Sequence, residues 1–408
     1  MYNFSLFKNG NILFPFSLVL FEFTVYIAND MIQPSMLEVV KNFNVGIEWI
    51  PTSLTAYLAG GGCLEWFFGP LSDQRGRRSV MLIGVLFFTI TCLAILLVST
   101  IEQFIMMRFL QGIGLCFIGS VGYATIQEAF EEVMCIRIIA MMANVALIAP
   151  LLGPLAGALL INILSWQTMF LIFAFLSLIS FIGLWLFMPE TVKIKEKELS
   201  FTPLWKDYKK LFLDPNFMSG ALATGFSNIP LLAWIALSPI ILINEEKFSI
   251  FFYAILQLPI FGGLILGNII LHQFIENINI LKMVNIGYKP IILGLIIAGS
   301  SAFSLIMDKV WILILGLSIY SFGLGITNAC LTRLTLFTIE VSKGTVSAAM
   351  GMIGMIVFIL GIEISKIAYL CGKLWALGIF NLFGGCCCLI SILIFLSLQE
   401  RKKSLSIK

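Results

Sequence analysis

Glu22, Tyr26 and Asp30 stand at i, i+4 and i+8 in a run from Ile12 to Gln33 that is otherwise almost wholly apolar. On a helix they form one slanted stripe, with Asn29 beside it, and the two carboxyls lie about 12 Å apart at ~1.5 Å per residue. The run is long enough to cross a hydrocarbon core of ~30 Å. A carboxylate at that depth is costly unless it holds a proton, faces water or meets a cation. Two on one helix point to work that uses protonation.

A second charge sits in a later apolar run, where Arg108 opens Arg-Phe-Leu-Gln-Gly-Ile-Gly-Leu-Cys-Phe-Ile-Gly. A guanidinium there stays charged and needs anions, carbonyls or water. The carboxylates of the first span are the expected partners. A nearby cation holds an acid ionised, whereas burial favours its protonated form, so a site that alternates between the two environments picks up and releases a proton. The competing reading is a static buried pair or an arginine reaching for the interface.

Two further motifs concern movement. In Gly69-Pro-Leu-Ser-Asp73-Gln-Arg-Gly-Arg77-Arg78, Gly69 is expected to admit a close helix, and Asp73 to cap a neighbouring helix at its positive end. The arginines would bridge to acids across the interface, making a clasp between the two halves. In Pro150-Leu-Leu-Gly153-Pro154-Leu-Ala-Gly157, the two glycines offer a small-residue face and the two prolines a bend, expected to pack against the opposite bundle. Weaker signals are Glu65, read as snorkelling to the membrane surface, Glu128 as an acid for the 2–3 loop arginines, and Glu363 with Lys366 as a local i, i+3 pair.

The elements that must position these residues follow from composition. The chain has 408 residues, 60% hydrophobic and 12% charged, with a mean hydropathy of +1.02. A soluble chain carries about twice that charge fraction, so this is a polytopic membrane protein. Its net charge of +3 is too small to imply nucleic acid. Twelve apolar spans run from 11–34 to 376–398, the ninth at 285–306. The long polar interval 189–215 separates an N-terminal six-helix bundle, 1–188, from a C-terminal one, 216–408. Within it Leu204, Tyr208, Leu211 and Phe212 recur at helical spacing against Lys206, Lys209 and Lys210, an amphipathic helix suited to an anionic membrane face. No cleavable signal peptide is expected. The nine cysteines lie mostly in apolar runs without metal-ligand spacing and read as small hydrophobes, so no metal site is expected. No phosphate-binding glycine loop and no catalytic set points to an enzyme.

Orientation follows from basic residues. One side carries Lys8, Arg75, Arg77, Arg78, Arg137, the linker lysines (Lys193, Lys195 and Lys197 among them), Lys282, Lys289, Arg333, Lys343 and the tail to Lys408. The other carries Lys41, Lys247, Lys309, Lys366 and Lys373. The excess of Lys and Arg places both termini and the linker in the cytoplasm.

These motifs together resemble the major facilitator superfamily, and within it the twelve-span drug/proton antiporters. Gly69–Arg78 is similar to its cytoplasmic-loop signature, Arg108 to its fourth-span arginine, and Gly153-Pro154-x-x-Gly157 to its antiporter motif. Gln74, where a basic residue is usual, and Ala158, in place of the last glycine, depart from the pattern. The resemblance covers nearly the whole chain. It implies two pseudo-symmetric six-helix bundles around a central cavity, with Glu22, Asp30 and Arg108 handling the proton. It implies that Tyr26, Asn29, Asp30, Ala146, Leu231 and Leu232 line a drug pocket. A cavity with few acids suits varied lipophilic cationic and neutral compounds (chloramphenicol-like drugs, dyes, quaternary cations) better than sugars. The expectation is proton-driven export from a bacterial inner membrane by a monomer without cofactor. A single-substrate metabolite or sugar facilitator of the same fold is the alternative.

Overall fold

A computed structural model describes residues 12–192, 201–274, 278–303 and 309–406. Lys8, Lys193, Lys195, Lys197 and Lys408 of the orientation argument lie outside these residues, as does part of the linker. Among the described residues every regular element is helical.

Ten helical stretches are long and apolar enough to cross a membrane, and two details turn them into twelve passes. The second pass is missing from the ten because it is broken: α3 (Trp49–Cys63) stops, Leu64 adopts φ −120°, and α4 (Glu65–Arg75) resumes. The last stretch, Lys343–Gln399, has 57 residues. At ~1.5 Å per residue it is far longer than a ~30 Å core. It breaks at Lys373, whose φ of 56° and ψ of −144° are not helical, so α15 (Lys343–Ser406) supplies two passes. The ninth pass, α13 (Ile280–Ser300), starts five residues before the expected 285. Asn279 sets that start, its side-chain oxygen accepting from the Leu281 N–H at 3.0 Å.

The chain divides into two compact units, 1–45 with 56–199, and 46–55 with 200–408, so the division falls inside α3. In the first unit, α1 (Leu13–Asp30) packs against α8 (Glu132–Leu160) and α9 (Trp166–Phe187), while α5 (Arg77–Ala94) packs against α9 and α6 (Ile101–Phe117). The first pass does not end at Asp30. A 3-10 turn over Gln33–Ser35, with Pro34 inside it, leads into α2 (Met36–Asn42). The missing donor of Pro34 explains the change: Ser35 N–H bonds back three residues, to Ile32 O at 2.9 Å. In the second unit, α14 (Lys309–Leu336) packs against α13 and α12 (Ile250–Phe274), and α11 (Pro215–Ser238) against α15. The amphipathic segment is helical as α10 (Phe201–Leu213) and rests on α11 and α15. Tyr208 and Leu211 are buried, whereas Trp205 and Leu213 are exposed.

Candidate substrate and proton site

Nothing in the side-chain types of α1 except its hydrophobicity accounts for burying two acids, so their partners decide what they do. Glu22 is fully buried and Asp30 nearly so, at 5% exposure. Tyr26 and Asn29 are half-buried beside them. The stripe read from the sequence therefore lies inside the first unit and not on a lipid-facing surface.

Arg108, also fully buried, is brought to this stripe by α6. One of its guanidinium nitrogens, Nη2, donates to Asn29 Oδ1 at 2.9 Å. Asn29 Nδ2 in turn donates to Asp30 Oδ1 at 3.1 Å. One amide thus links the guanidinium to the carboxylate. The other nitrogen, Nη1, donates to Gln111 Oε1 at 3.1 Å and to Ala28 O at 3.3 Å. The guanidinium also lies over the Tyr57 ring, 4.5 Å from its centroid, a favourable seat for a desolvated cation. Tyr57 OH donates to Val25 O at 2.6 Å, fastening the second pass to the first.

Close helix contact makes this seat possible. A Cβ on Gly112 would collide with Tyr57 O, and one on Gly60 with Phe109 O. Only glycine at both positions lets α3 and α6 approach until the Tyr57 ring reaches Arg108. Tyr57, Gln111 and Tyr123 went unnoticed in the sequence. Gln111 had a visible signal, a polar side chain one turn after Arg108 in an apolar span. The tyrosines had none, since aromatics abound in this chain. Tyr123, in α7 (Tyr123–Ala129), donates to Glu22 Oε1 at 3.2 Å, whereas Glu22 Oε2 is buried without a partner among the described residues.

The small face of α8 is used differently from the expectation. A Cβ on Gly153 would lie 2.6 Å from Asp30 Cβ and 3.1 Å from Met31 N, and one on Gly157 2.9 Å from Pro34 Cγ. These glycines seat α8 against the first pass of the same unit, directly behind Asp30. Pro150 and Pro154 lie within that helix on either side of Gly153. Ala146, on the same helix, is half-buried. Leu231 (8% exposed) and Leu232 belong to α11 in the second unit.

The charged loop also differs in detail. Asp73 pairs with Arg77 at 2.5 Å, across the break between α4 and α5, and does not cap the next helix. Glu190, which the sequence reading passed over, does so: its carboxylate accepts from Arg77 N at 2.9 Å and Arg78 N at 3.2 Å at the start of α5. A carboxylate suits that positive helix end. Arg77 completes the cluster on Glu128 at 2.9 Å and Ser72 Oγ at 2.6 Å. Gly76, with φ of +92°, makes the turn between α4 and α5. Gly69 needs no smallness here, since a Cβ would meet nothing within 4 Å. All these partners belong to the first unit.

Comparison with known proteins places this arrangement. Residues 18–362 match the model of the Major Facilitator Superfamily. The chain is 59% identical over 388 residues to a protein named multidrug transporter MdfA from Yersinia pestis bv. Antiqua (strain Angola), covering 95% of each chain. It is 54% identical over 393 residues to the multidrug transporter MdfA of Escherichia coli O6:H1, covering 96% of each. Among solved structures, the human organic anion transporter MFSD10 superimposes with a TM-score of 0.67 at 14% identity, over 95% of this chain and 99% of that one. A bacterial homolog of the human lysosomal transporter Spinster, inward-facing and occupied, gives 0.69 at 13%, over 95% and 96%. At so low an identity these two speak for the fold alone. With twelve passes, the loop and antiporter motifs, and relatives matching nearly end to end, the chain belongs to the Major Facilitator Superfamily.

Proposed function

We propose that this protein exports chemically diverse lipophilic compounds, cationic and neutral, from the cytoplasm in exchange for protons. The relatives named multidrug transporters, at 54% and 59% identity, support the substrate class. The observation that carries the coupling is the relay from Arg108 through Asn29 to Asp30 inside an apolar span. The neutral amide between them holds the carboxyl within reach of the cation, so a small shift of α1 or α8 changes how strongly the cation favours the ionised form.

In the exchange, Asp30 or Glu22 binds a proton from the outer side and the neutral acid tolerates its apolar surroundings. Arrival of a substrate in the inward-facing state displaces that proton to water. A cationic substrate gains Coulomb attraction from the ionised acid, and a neutral one takes apolar walls, to which Tyr26 and Ala146 of the first unit contribute. Arg108 tunes the acids and does not touch substrate. The fold permits alternating access, in which the site faces each side of the membrane in turn. Under this reading both termini are cytoplasmic, the protein resides in a bacterial inner membrane and works as a monomer, and the proton gradient takes the place of a cofactor or a covalent reaction step.

The test is a resistance and efflux panel in cells stripped of their own pumps, with chloramphenicol, ethidium and tetraphenylphosphonium as probes. Efflux of all three that collapses with an uncoupler is expected. Saturable uptake of one polar solute, with no efflux of the panel, would overturn the reading in favour of a single-substrate facilitator.

A further inference from the structure

Glu65 opens α4 immediately after the break at Leu64. The snorkelling expected of it does not occur. Its Oε1 lies 3.1 Å from the Cβ position on Gly119, within a π-helical turn at Ile118–Gly122 of the fourth pass. That turn is about ten residues from the end of the pass at Ala129, roughly 15 Å at ~1.5 Å per residue. The half-buried carboxyl therefore sits at the depth of that turn and does not reach the polar loop that follows it in sequence.

Its neighbours are informative. Four residues beyond Gly119, about one turn along the same face, Tyr123 donates to Glu22 Oε1 at 3.2 Å. The carboxyls of Glu65 and Glu22 thus flank a single turn of the fourth pass. The Tyr26 hydroxyl lies within electrostatic range of Glu22, Glu65 and Asp30 together. The Cys116 thiol is also in electrostatic range of Glu65, and it donates to Gly61 O. Among the described residues Glu65 forms neither an ion pair nor a hydrogen bond. Glu22 Oε2 is fully buried and has no partner among the described residues. Unpaired acids inside a span mark function more often than they serve stability.

Resting on the proposed export function, we propose that Glu65 is a third carboxylate of the same site, engaged by substrates that carry two positive charges. Acids set in an apolar span favour the protonated form, so Glu65 holds a proton until a cation arrives. A monocation is compensated by one carboxylate. A dication leaves one charge uncompensated in a poorly screened interior unless a second acid gives its proton to water and faces it. Glu65, against Gly119 one turn before the Tyr123 that holds Glu22, is placed to do so.

The experiment measures binding to the detergent-solubilised full chain of three probes, neutral chloramphenicol, the monocation tetraphenylphosphonium and the dication decamethonium. It compares the parent with Glu65→Gln and Glu65→Asp. Glu65→Gln is expected to weaken decamethonium about tenfold or more while chloramphenicol and tetraphenylphosphonium change less than about twofold, with partial recovery in Glu65→Asp. Equal weakening of all three probes in Glu65→Gln marks a structural role and overturns the proposal. Unchanged decamethonium affinity overturns it as well, as does a parent that binds the first two probes and not decamethonium. A parent that binds none of the three defeats the export reading itself, a separate failure.

Discussion

Both units carry charge inside their membrane spans, yet they handle it in opposite ways. In the first unit Asn29 links Arg108 to Asp30, and Glu22 keeps one oxygen without a partner among the described residues. In the second unit Lys366 pairs directly with Glu363, one turn away on α15, and also donates to Thr52 Oγ1 at 3.0 Å. Other buried polar groups of that unit are neutral: Trp234 Nε1 donates to Gln257 Oε1 at 2.7 Å and Asn228 Nδ2 to Asn328 Oδ1 at 3.3 Å, whereas Ser321 Oγ and Asn381 Oδ1 have no partner among the described residues. A direct pair cancels its charges and has little reason to change protonation. An acid linked to its cation through a neutral amide is sensitive to whatever enters or shifts nearby. The same ingredients therefore make a brace in one unit and a proton-handling site in the other.

The largest effect that tests this contrast is expected at Asp30. Asp30→Asn should abolish both uncoupler-sensitive efflux and the proton release seen when tetraphenylphosphonium is added to the detergent-solubilised protein. Release and efflux that persist in an Asp30→Asn/Glu22→Gln double variant would break the comparison outright.

Next comes the relay. Arg108 makes directed bonds to Asn29, Gln111 and Ala28 and lies on Tyr57, contacts that a lysine ammonium does not reproduce. Arg108→Lys is expected to retain some transport, Arg108→Ala and Arg108→Gln essentially none. Asn29→Ala should keep the charges but cut the link, shifting the pH midpoint of proton release while leaving chloramphenicol affinity within about threefold, under ~1 kcal/mol. An unmoved midpoint in Asn29→Ala would show that the arginine acts on Asp30 without the amide.

A smaller loss should follow from crowding the back of the acid. Gly153→Leu inserts atoms where a Cβ alone already meets Asp30 at 2.6 Å. Overpacking of this kind typically costs about 1–3 kcal/mol. The melting temperature of the purified variant should fall and its turnover should slow. Wild-type melting and turnover would mean that α8 yields easily and that its glycines do not position Asp30.

The smallest effect is expected in the second unit. Glu363→Gln combined with Lys366→Met removes the pair together and should leave coupled efflux within about twofold, since partly exposed pairs contribute about 0–1 kcal/mol. Loss of coupling in that double variant, with folding intact, would show that charge in the second unit also handles protons, and the contrast would have to be abandoned.

How much of this was written in the chain itself depends on the range of the interaction concerned. Apolar run length and breaks are local, so the passes and the six-plus-six reading followed from composition, and the helical stripe Glu22–Tyr26–Asp30 from spacing alone. The rarity of charge in the spans singled out Arg108, again without any partner being known. Partners are long-range, and there spacing had no purchase. That Asn29 stands between Arg108 and Asp30, that Tyr57 seats the guanidinium, and that Glu190 caps the helix attributed to Asp73 depend on helices separated by tens of residues. The small face around Gly153 shows the same divide. Its four-residue spacing announced a close contact, but a glycine face carries no label for the helix it will meet. Only the packing of α8 on α1 directed it to Asp30. Glu65 makes the point most sharply, because its position near a span end argued for the surface. The break at Leu64 and the π turn at Gly119, neither of which has a strong sequence signal, turned it inward. Residue types fixed which groups were expensive to bury, and the tertiary structure decided which of those costs were cancelled by a partner and which were left open.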